Sequence, residues 1–305
     1  MSSSPFFHGS RRPFRPPPAS LTQPYTARRA SDACAPGEVS KHLRALPMKT
    51  IVAKMAEEHL PAALTALRTA RCVAALTGAG ISVASGIPDF RSAGGLWTVF
   101  SPEEYATIEV FYRNPAKAWE LYRALGRVLL GKKPNPAHLA LVDLERQGRL
   151  HGIVTQNIDN LHQLAGSTRV LEIHGEHQHL QCLHCSHLVP VEERYFQETE
   201  IPRCPVCAFP LKPNVVLFGE DVRQLDEIHE FIAACDLLLV IGTSAQVYPA
   251  AALPSMVRRN GGKLFEFNRE PSLPGEAYGT GADFFFQGDA GTTLPRLASA
   301  LRQVG

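Results

Sequence analysis

Six short apolar runs, each closed by glycine or a polar residue, restrict the fold of this chain more than any other feature. They are CVAALTG (72–78), GIVTQN (152–157), VLEIHG (170–175), DLLLVIGTS (236–244), KLFEFN (263–268) and DFFFQG (283–288). Such runs are the pattern of strands buried on both faces, which occur in parallel sheets. Between them lie stretches with helical spacing: EEHLPAALTALRTA, then NPAKAWELYRALGRVLL with Pro115 at a helix start, then AHLALVDLERQG closed by Gly148. Strands alternating with helices imply an α/β fold with a doubly wound parallel sheet. Its ligand is expected in the crevice at the carboxyl ends of the strands.

The chain has 305 residues, of which 45% are hydrophobic and 20% charged, enough for one large core or one core with a small satellite. A net charge of +2 gives no reason to expect a nucleic acid partner. No apolar run reaches the 18 or so residues that a membrane span needs, so no membrane association is expected. Residues 1–50 differ from the rest: rich in Ser, Pro and Arg, with no acidic residue before Asp32 and no apolar period. They read as a disordered extension, with the protein in the cytoplasm. A start codon placed too early is a second reading, since Met48 and Met55 precede the first helical stretch. The same composition is that of a transit peptide, which would place the protein in the mitochondrion, although Pro16 to Pro18 oppose an amphipathic targeting helix there.

Three groups of residues carry chemistry. The first strand runs into TGAGISVASGIPDFRSAGGLW (77–97), where Gly78 and Gly80 flank Ala79 in a turn that lets backbone approach a pyrophosphate. The third glycine of the GxGxxG fingerprint is missing from its usual place, so spacing alone leaves a dinucleotide site and a structural turn both open. PDFR then sets an acid, an aromatic and a guanidinium in a glycine-rich loop suited to cover a polar ligand. In TQNIDNLH, Gln156, Asn157 and Asp159 stand at a strand end, able to hold a carboxamide or ribose hydroxyls, or to cap the next helix. Cys182, Cys185, Cys204 and Cys207 form two CxxC pairs at zinc-ribbon spacing. Four thiolates leave no open position, so the zinc is expected to be structural; a redox pair is the alternative. The scattered remaining cysteines fit a reducing compartment. With the metal shell filled, His177, His179 and His187 read as structural or linker residues, and His184 as a neighbour of the metal. His174 ends an apolar strand and suits a general base in the cleft.

Taken together these residues resemble the sirtuin family of NAD-dependent protein deacylases. The resemblance rests on GAGISVASGIPDFR, TQNIDNLH, His174 with Gly175, the two CxxC pairs, PNVVLFGE, GTSAQVYPA and Phe267–Asn268, all in the family's order, and runs from about residue 68 to the C-terminus. It is nearest to the class that includes bacterial and mitochondrial members. It implies a Rossmann-like domain (56–97, 136–175 and 213–305) carrying an inserted small domain, helical over 98–135 and a zinc ribbon over 176–212. NAD would be the co-substrate and one zinc ion structural. The resemblance places Gly78, Ala79, Gly80, Ile81, Asp89, Phe90, Arg91 and Trp97 around NAD. It places Gln156, Asn157, Ile158 and Asp159 at the nicotinamide and ribose, Gly242, Thr243 and Ser244 at phosphate and ribose, and Asn268, Glu270 and Ala290 at the adenosine. His174 and Asn157 would be catalytic, with Phe90 shielding the sugar from water. Tyr122, Val216, Phe218, Gly219 and Val247 would meet an acyl-lysine peptide, which adds as a strand between VVLFGE and GTSAQV. The products would be nicotinamide, deacylated lysine and O-acyl-ADP-ribose.

One departure bears on the acyl group. Members that remove succinyl or malonyl groups carry a tyrosine and, three residues on, an arginine; here Tyr122 is followed at that distance by Leu125. Leucine cannot make the bidentate pair with an acyl carboxylate, so deacetylation is expected over desuccinylation. Mono-ADP-ribosyl transfer and a zinc-ribbon binding module on an inactive NAD fold are the alternatives. Monomer is a plausible assembly; the sequence does not decide it.

Overall fold

The computed structural model describes residues 49–52, 59–89, 95–273 and 281–303. Seven strands form one parallel sheet: β1 (Lys49–Val52), β2 (Val73–Thr77), β3 (Gly152–Thr155), β4 (Val170–Glu172), then, after the small sheet described below, β8 (Leu237–Ile241), β9 (Lys263–Asn268) and β10 (Phe284–Gln287). Their order across the sheet is β1-β10-β9-β8-β2-β3-β4. The chain therefore winds outward from β2 to β4, returns to the middle at β8, and winds outward the other way. The order reverses between β2 and β8, where a doubly wound sheet opens its ligand crevice.

Burial on both faces explains why these strands read as continuous apolar runs. Val73, Ala75, Ile153, Leu239, Phe265, Phe267 and Phe286 face one side, covered by helices Leu60–Thr69, Pro136–Arg146 and Ala290–Gln303. Ala74, Leu76, Val154, Leu171, Leu238, Val240 and Leu264 face the other, covered by helices Leu225–Ala234 and Leu253–Arg259. The six strands expected from the sequence are all present. β1 was not anticipated: its four residues lie inside or just beyond the segment expected to be a disordered tail, and they pair in register with Phe284–Gln287. Too short to show a period, it takes its shape from the exposed edge of β10. Up to residue 48, the expectation of a disordered extension lies outside the described residues.

A second, antiparallel sheet contains β5 (Gly175–Cys182), β6 (Leu188–Pro190) and β7 (Leu211–Val215), in the order β6-β5-β7. Its own core joins Leu180, Leu211, Val215 and Leu217 to Phe111, Trp119 and Tyr122 of the helical segment. The Trp119 indole donates to the Leu211 carbonyl at 2.8 Å, tying helix Pro115–Leu129 to β7. His177 and His179 therefore belong to this sheet and are not linker residues. His177 is buried in β5 and stacks on Phe196 with ring centroids 4.9 Å apart, and His179 lies two residues further along the same strand. Among the described residues no helix is long and apolar enough to cross a membrane.

Candidate active site

At the reversal point two backbone turns meet. Gly78 donates to the Ile241 carbonyl at 3.0 Å and Gly80 to the Gly242 carbonyl at 2.8 Å. A Cβ on Gly80 would lie 2.7 Å from Gly242 Cα, and one on Gly242, whose φ is +56°, only 2.6 Å from the Gly80 carbonyl carbon. Only glycine permits this approach at both positions. Ala79 opens the short 3-10 turn Ala79–Ser85 that follows, and Ile81 is anchored in the core beneath it.

The strand ends supply side chains that join these turns into one hydrogen-bonded network. The Asn157 amide is buried and donates to the Gly78 carbonyl and to Ser82 Oγ, each at 3.1 Å. Ser82 Oγ donates in turn to Asp159 at 2.6 Å. Burial raises the pKa of Asp159, while the hydrogen bonds from Ser82 and the Leu161 amide oppose the rise. Gln156 reaches across the crevice, its amide donating to Thr243 Oγ1 at 2.9 Å, and Asn268 donates to the Thr243 carbonyl at 3.1 Å. Ile158 leaves this cluster and packs on the small core.

His174 lies just beyond β4. Its Nδ1 is 3.0 Å from the Gln156 carbonyl, an oxygen that can only accept. The proton of the neutral ring must therefore sit on Nδ1, which leaves the Nε2 lone pair as the basic site. Burial lowers the His174 pKa, and the bond to Gln156 offsets part of that shift. The ring is thus held neutral at physiological pH, in one tautomer and one orientation. The His174 carbonyl accepts from the Val216 amide at 2.8 Å, which connects His174 to the VVLFGE segment.

Other expected site residues lie around this network. Phe218 and Gly219 are exposed; the Phe218 backbone bridges to Thr107, and its ring faces Trp97 with centroids 6.4 Å apart. Val247 is half-buried and precedes Tyr248 and Pro249. Ser244 and Glu270 are exposed, Asp89 is half-buried, and Ala290 begins the last helix. Phe90 and Arg91 lie outside the described residues. Tyr122 is set deeper than an open cleft residue: its ring packs between Phe111 and Trp119, and its buried hydroxyl has no hydrogen-bond partner among the described residues.

The four expected metal ligands converge. Cys182, Cys185, Cys204 and Cys207 hold their sulfurs within 4.8 Å of one another, with pairs at 3.4, 3.5 and 3.6 Å. A tetrahedral zinc ion with bonds of about 2.3 Å sets its sulfurs about 3.8 Å apart, so the cluster fits the ion with shifts of no more than about 1 Å. His184 is not part of it and stacks on Phe209 instead.

Two supports of the site were not anticipated. Asn135 donates to the Ile81 carbonyl at 2.8 Å and to Ser85 Oγ at 2.9 Å, holding the Ala79–Ser85 turn from behind. Lys212 is buried and donates to Glu220 at 3.0 Å and to the Val215 carbonyl at 2.6 Å, fixing both ends of the VVLFGE segment. A lysine directly after Leu211 and shortly before the apolar VVLF was the available signal for the second.

The description Sir2 family matches residues 78–249 of this chain. An NAD-dependent protein deacylase of Pyrococcus furiosus is 43% identical over 236 residues, 75% of this chain and 93% of the relative. An NAD-dependent protein deacetylase of Caldivirga maquilingensis is 46% identical over 209 residues, 68% of this chain and 81% of the relative. Among solved structures, a Sir2 homolog–NAD complex superposes with a TM-score of 0.73 at 36% identity, covering 80% of this chain and 94% of that one. A Sir2–p53 peptide–NAD+ structure superposes with a TM-score of 0.70 at 34% identity, covering 81% and 99%. In sequence and in fold, this chain belongs to the Sir2 family.

Proposed function

We propose that this protein is an NAD-dependent protein lysine deacylase that acts on acetyl-lysine in preference to succinyl-lysine and releases nicotinamide, deacylated lysine and O-acyl-ADP-ribose. The observation that carries this reading is the His174 ring, held by the Gln156 carbonyl at 3.0 Å with Nε2 as its basic atom. Gln156 and its neighbour Asn157 belong to the same network that joins Gly78 to Thr243. NAD, when bound, supplies the leaving nicotinamide and the ribose that accepts the acyl group.

This chain's residues then have separable roles. Gly78, Gly80 and Gly242 let backbone amides approach the phosphates, and Asn268 with Thr243 borders the adenosine side. Asn157 and Asp159 face the nicotinamide and its ribose. His174 Nε2 takes a proton from a ribose hydroxyl, a role for which a neutral ring of fixed tautomer is prepared. Val216, Phe218 and Gly219 form one wall of the peptide channel and Val247 the other, with the peptide adding as a strand between them. One zinc ion on the four thiolates stabilises the small sheet, since Cys182 and Cys204 share its core.

The acyl preference has support from two arginines near Leu125. Arg123 spends its guanidinium on the carbonyls of Glu198 and Thr199, each at 2.7 Å, and Arg127 donates to the Phe196 carbonyl at 3.0 Å. Neither substitutes for the arginine that a carboxylated acyl chain would need.

Mass spectrometry after incubation with NAD and matched acetyl- and succinyl-lysine peptides tests the reading. The expected result is O-acetyl-ADP-ribose, with kcat/KM for the acetyl peptide higher by about tenfold or more, the value of one charge-assisted pair. Equal efficiency on both peptides would overturn the acyl preference. Protein-bound ADP-ribose without deacylated peptide would overturn the reaction class.

A further inference from the structure

Away from the four-cysteine cluster a second pair of sulfurs meets, at the opposite end of the large sheet from the Gly78–Gly242 contact. Cys72 precedes β2, Cys235 ends helix Leu225–Ala234 just before β8, and their Sγ atoms are 3.0 Å apart. That is closer than the 3.4 to 3.6 Å of the sulfur pairs in the four-cysteine cluster.

The backbone explains the meeting. β2 and β8 are parallel with Val73 opposite Leu237, so the register places Cys72 beside Asp236 and Cys235 one residue further back. Strands about 4.8 Å apart with a rise of about 3.3 Å per residue give a diagonal Cα separation of about 5.8 Å. That lies within the roughly 4.4–6.8 Å that disulfides span. Both positions are also held. The Asp236 and Leu237 amides donate to the Cys72 carbonyl at 3.0 and 3.3 Å, and the Asp236 carboxylate accepts the Cys72 amide at 3.0 Å. Sulfurs on such a frame need approach by only about 1 Å to bond, within reach of a small side-chain rotation.

The two thiols are unequal. Cys235 is buried, its Sγ donating to the Phe231 carbonyl at 3.2 Å, and burial raises its pKa, with the neighbouring Cys72 and Asp236 adding to the rise. Cys72 is half-buried, the more open to solvent of the two residues.

We propose that Cys72 and Cys235 form a modification site, a dithiol that an oxidant of the peroxide class converts to an intramolecular disulfide. In the first step Cys72, as thiolate, attacks a peroxide oxygen; the O–O bond breaks, and after proton uptake one water leaves and Cys72 carries a sulfenic acid. Cys235 then gives up its proton and attacks the Cys72 sulfur, the S–S bond forms, and the second water leaves. Two thiols lose two electrons, and the peroxide gains two. The bond closes a loop spanning a sequence separation of 163 residues, which restricts the unfolded chain and stabilises the folded one.

The test treats the reduced, zinc-loaded full chain with hydrogen peroxide, removes the excess with catalase, blocks free thiols with N-ethylmaleimide and maps peptides without reduction. The expected product links the peptide of Cys72 to that of Cys235, two hydrogens lighter than their sum. The thermal midpoint of the oxidised protein should rise by several degrees. Cys72→Ser should show neither change and leave Cys235 fully alkylated. Both cysteines alkylated in the treated native chain would overturn the proposal. So would Cys72 as a sulfinic acid beside a free Cys235, a link from Cys72 to any other cysteine, or a link with no rise in the midpoint. The peptide map of the native chain decides the linkage even where a variant fails to fold.

Discussion

Replacing Lys212 by methionine isolates the support under the VVLFGE segment, the proposed wall of the peptide channel. Its side chain is 0% exposed and that of its partner Glu220 20% exposed, with Nζ 3.0 Å from Glu220 Oε2 and 2.6 Å from the Val215 carbonyl. Methionine fills most of the volume but removes the charge. Among the described residues the Glu220 carboxylate then keeps the Leu217 amide, at 2.8 Å, with the buried Tyr122 hydroxyl nearby. Breaking a buried ion pair by removing one partner costs about 3–5 kcal/mol. Because Glu220 is partly open to water, the loss here falls at the lower end, about 3 kcal/mol. The double substitution Lys212→Met/Glu220→Gln removes the stranded charge and should recover about 1–2 kcal/mol of it. Urea unfolding of the native chain, both single variants and the double variant gives the cycle. The peptide KM should rise in Lys212→Met while the NAD KM stays within twofold or so, because Lys212 anchors Val215 to Glu220 and not the glycine turns. A single-variant loss below about 1 kcal/mol, or additive effects around the cycle, would refute the argument.

Three further outcomes follow from the same structure. His138 and His162 are buried with ring centroids 5.0 Å apart, and burial lowers their pKa values to about 4 and about 3 from 6.5. Their folded-state values are depressed, so the unfolded chain binds more protons below pH 6.5 and stability falls as pH drops through that point; at pH 5 the pair costs about 4 kcal/mol, read by urea midpoints from pH 7 to 5. A midpoint flat across that range would contradict it. Gly80→Ala puts a Cβ 2.7 Å from Gly242 Cα and forces the two turns apart at a cost of about 1–3 kcal/mol; calorimetry should find NAD affinity reduced by at least about tenfold, and unchanged affinity would count against the turn as the nucleotide site. Stripping zinc with a chelator should change Trp119 fluorescence, since Cys182, Cys204 and Trp119 share one core, and restoring one equivalent should reverse the change.

The large sheet was legible because its strands are buried on both faces, and that requirement prints itself as uninterrupted apolar runs. The metal cluster was legible because tetrahedral thiolate coordination needs two closely spaced pairs. His174 was distinguishable from its neighbours by its place at the end of an apolar run. The polar scaffolding was harder to read. Ser82 bridges Asn157 and Asp159 only because a 3-10 turn carries it over the end of β3, a proximity that no local pattern records. His177 looked like a linker residue because a strand of the small sheet, with its mixed burial, lacks a clean alternation. β1 left no signal because its position depends on the edge offered by β10. Leu125 was read from spacing alone, whereas the engagement of Arg123 and Arg127 with carbonyls from 196 to 199 needed three dimensions.

The central claim is that His174 is the base of an NAD-dependent deacylation, and its most direct measurement is turnover of an acetyl-lysine peptide by His174→Ala with zinc content recorded in parallel. Deacetylation should fall by about 10²-fold or more, the usual contribution of a general base. The zinc should remain at one ion per chain, because the thiolate cluster does not include His174. In the unsubstituted enzyme the acid limb of kcat/KM should lie below pH 6.5, following the lowered pKa of His174. A His174→Ala variant that retains zinc and full deacetylase turnover would contradict the account.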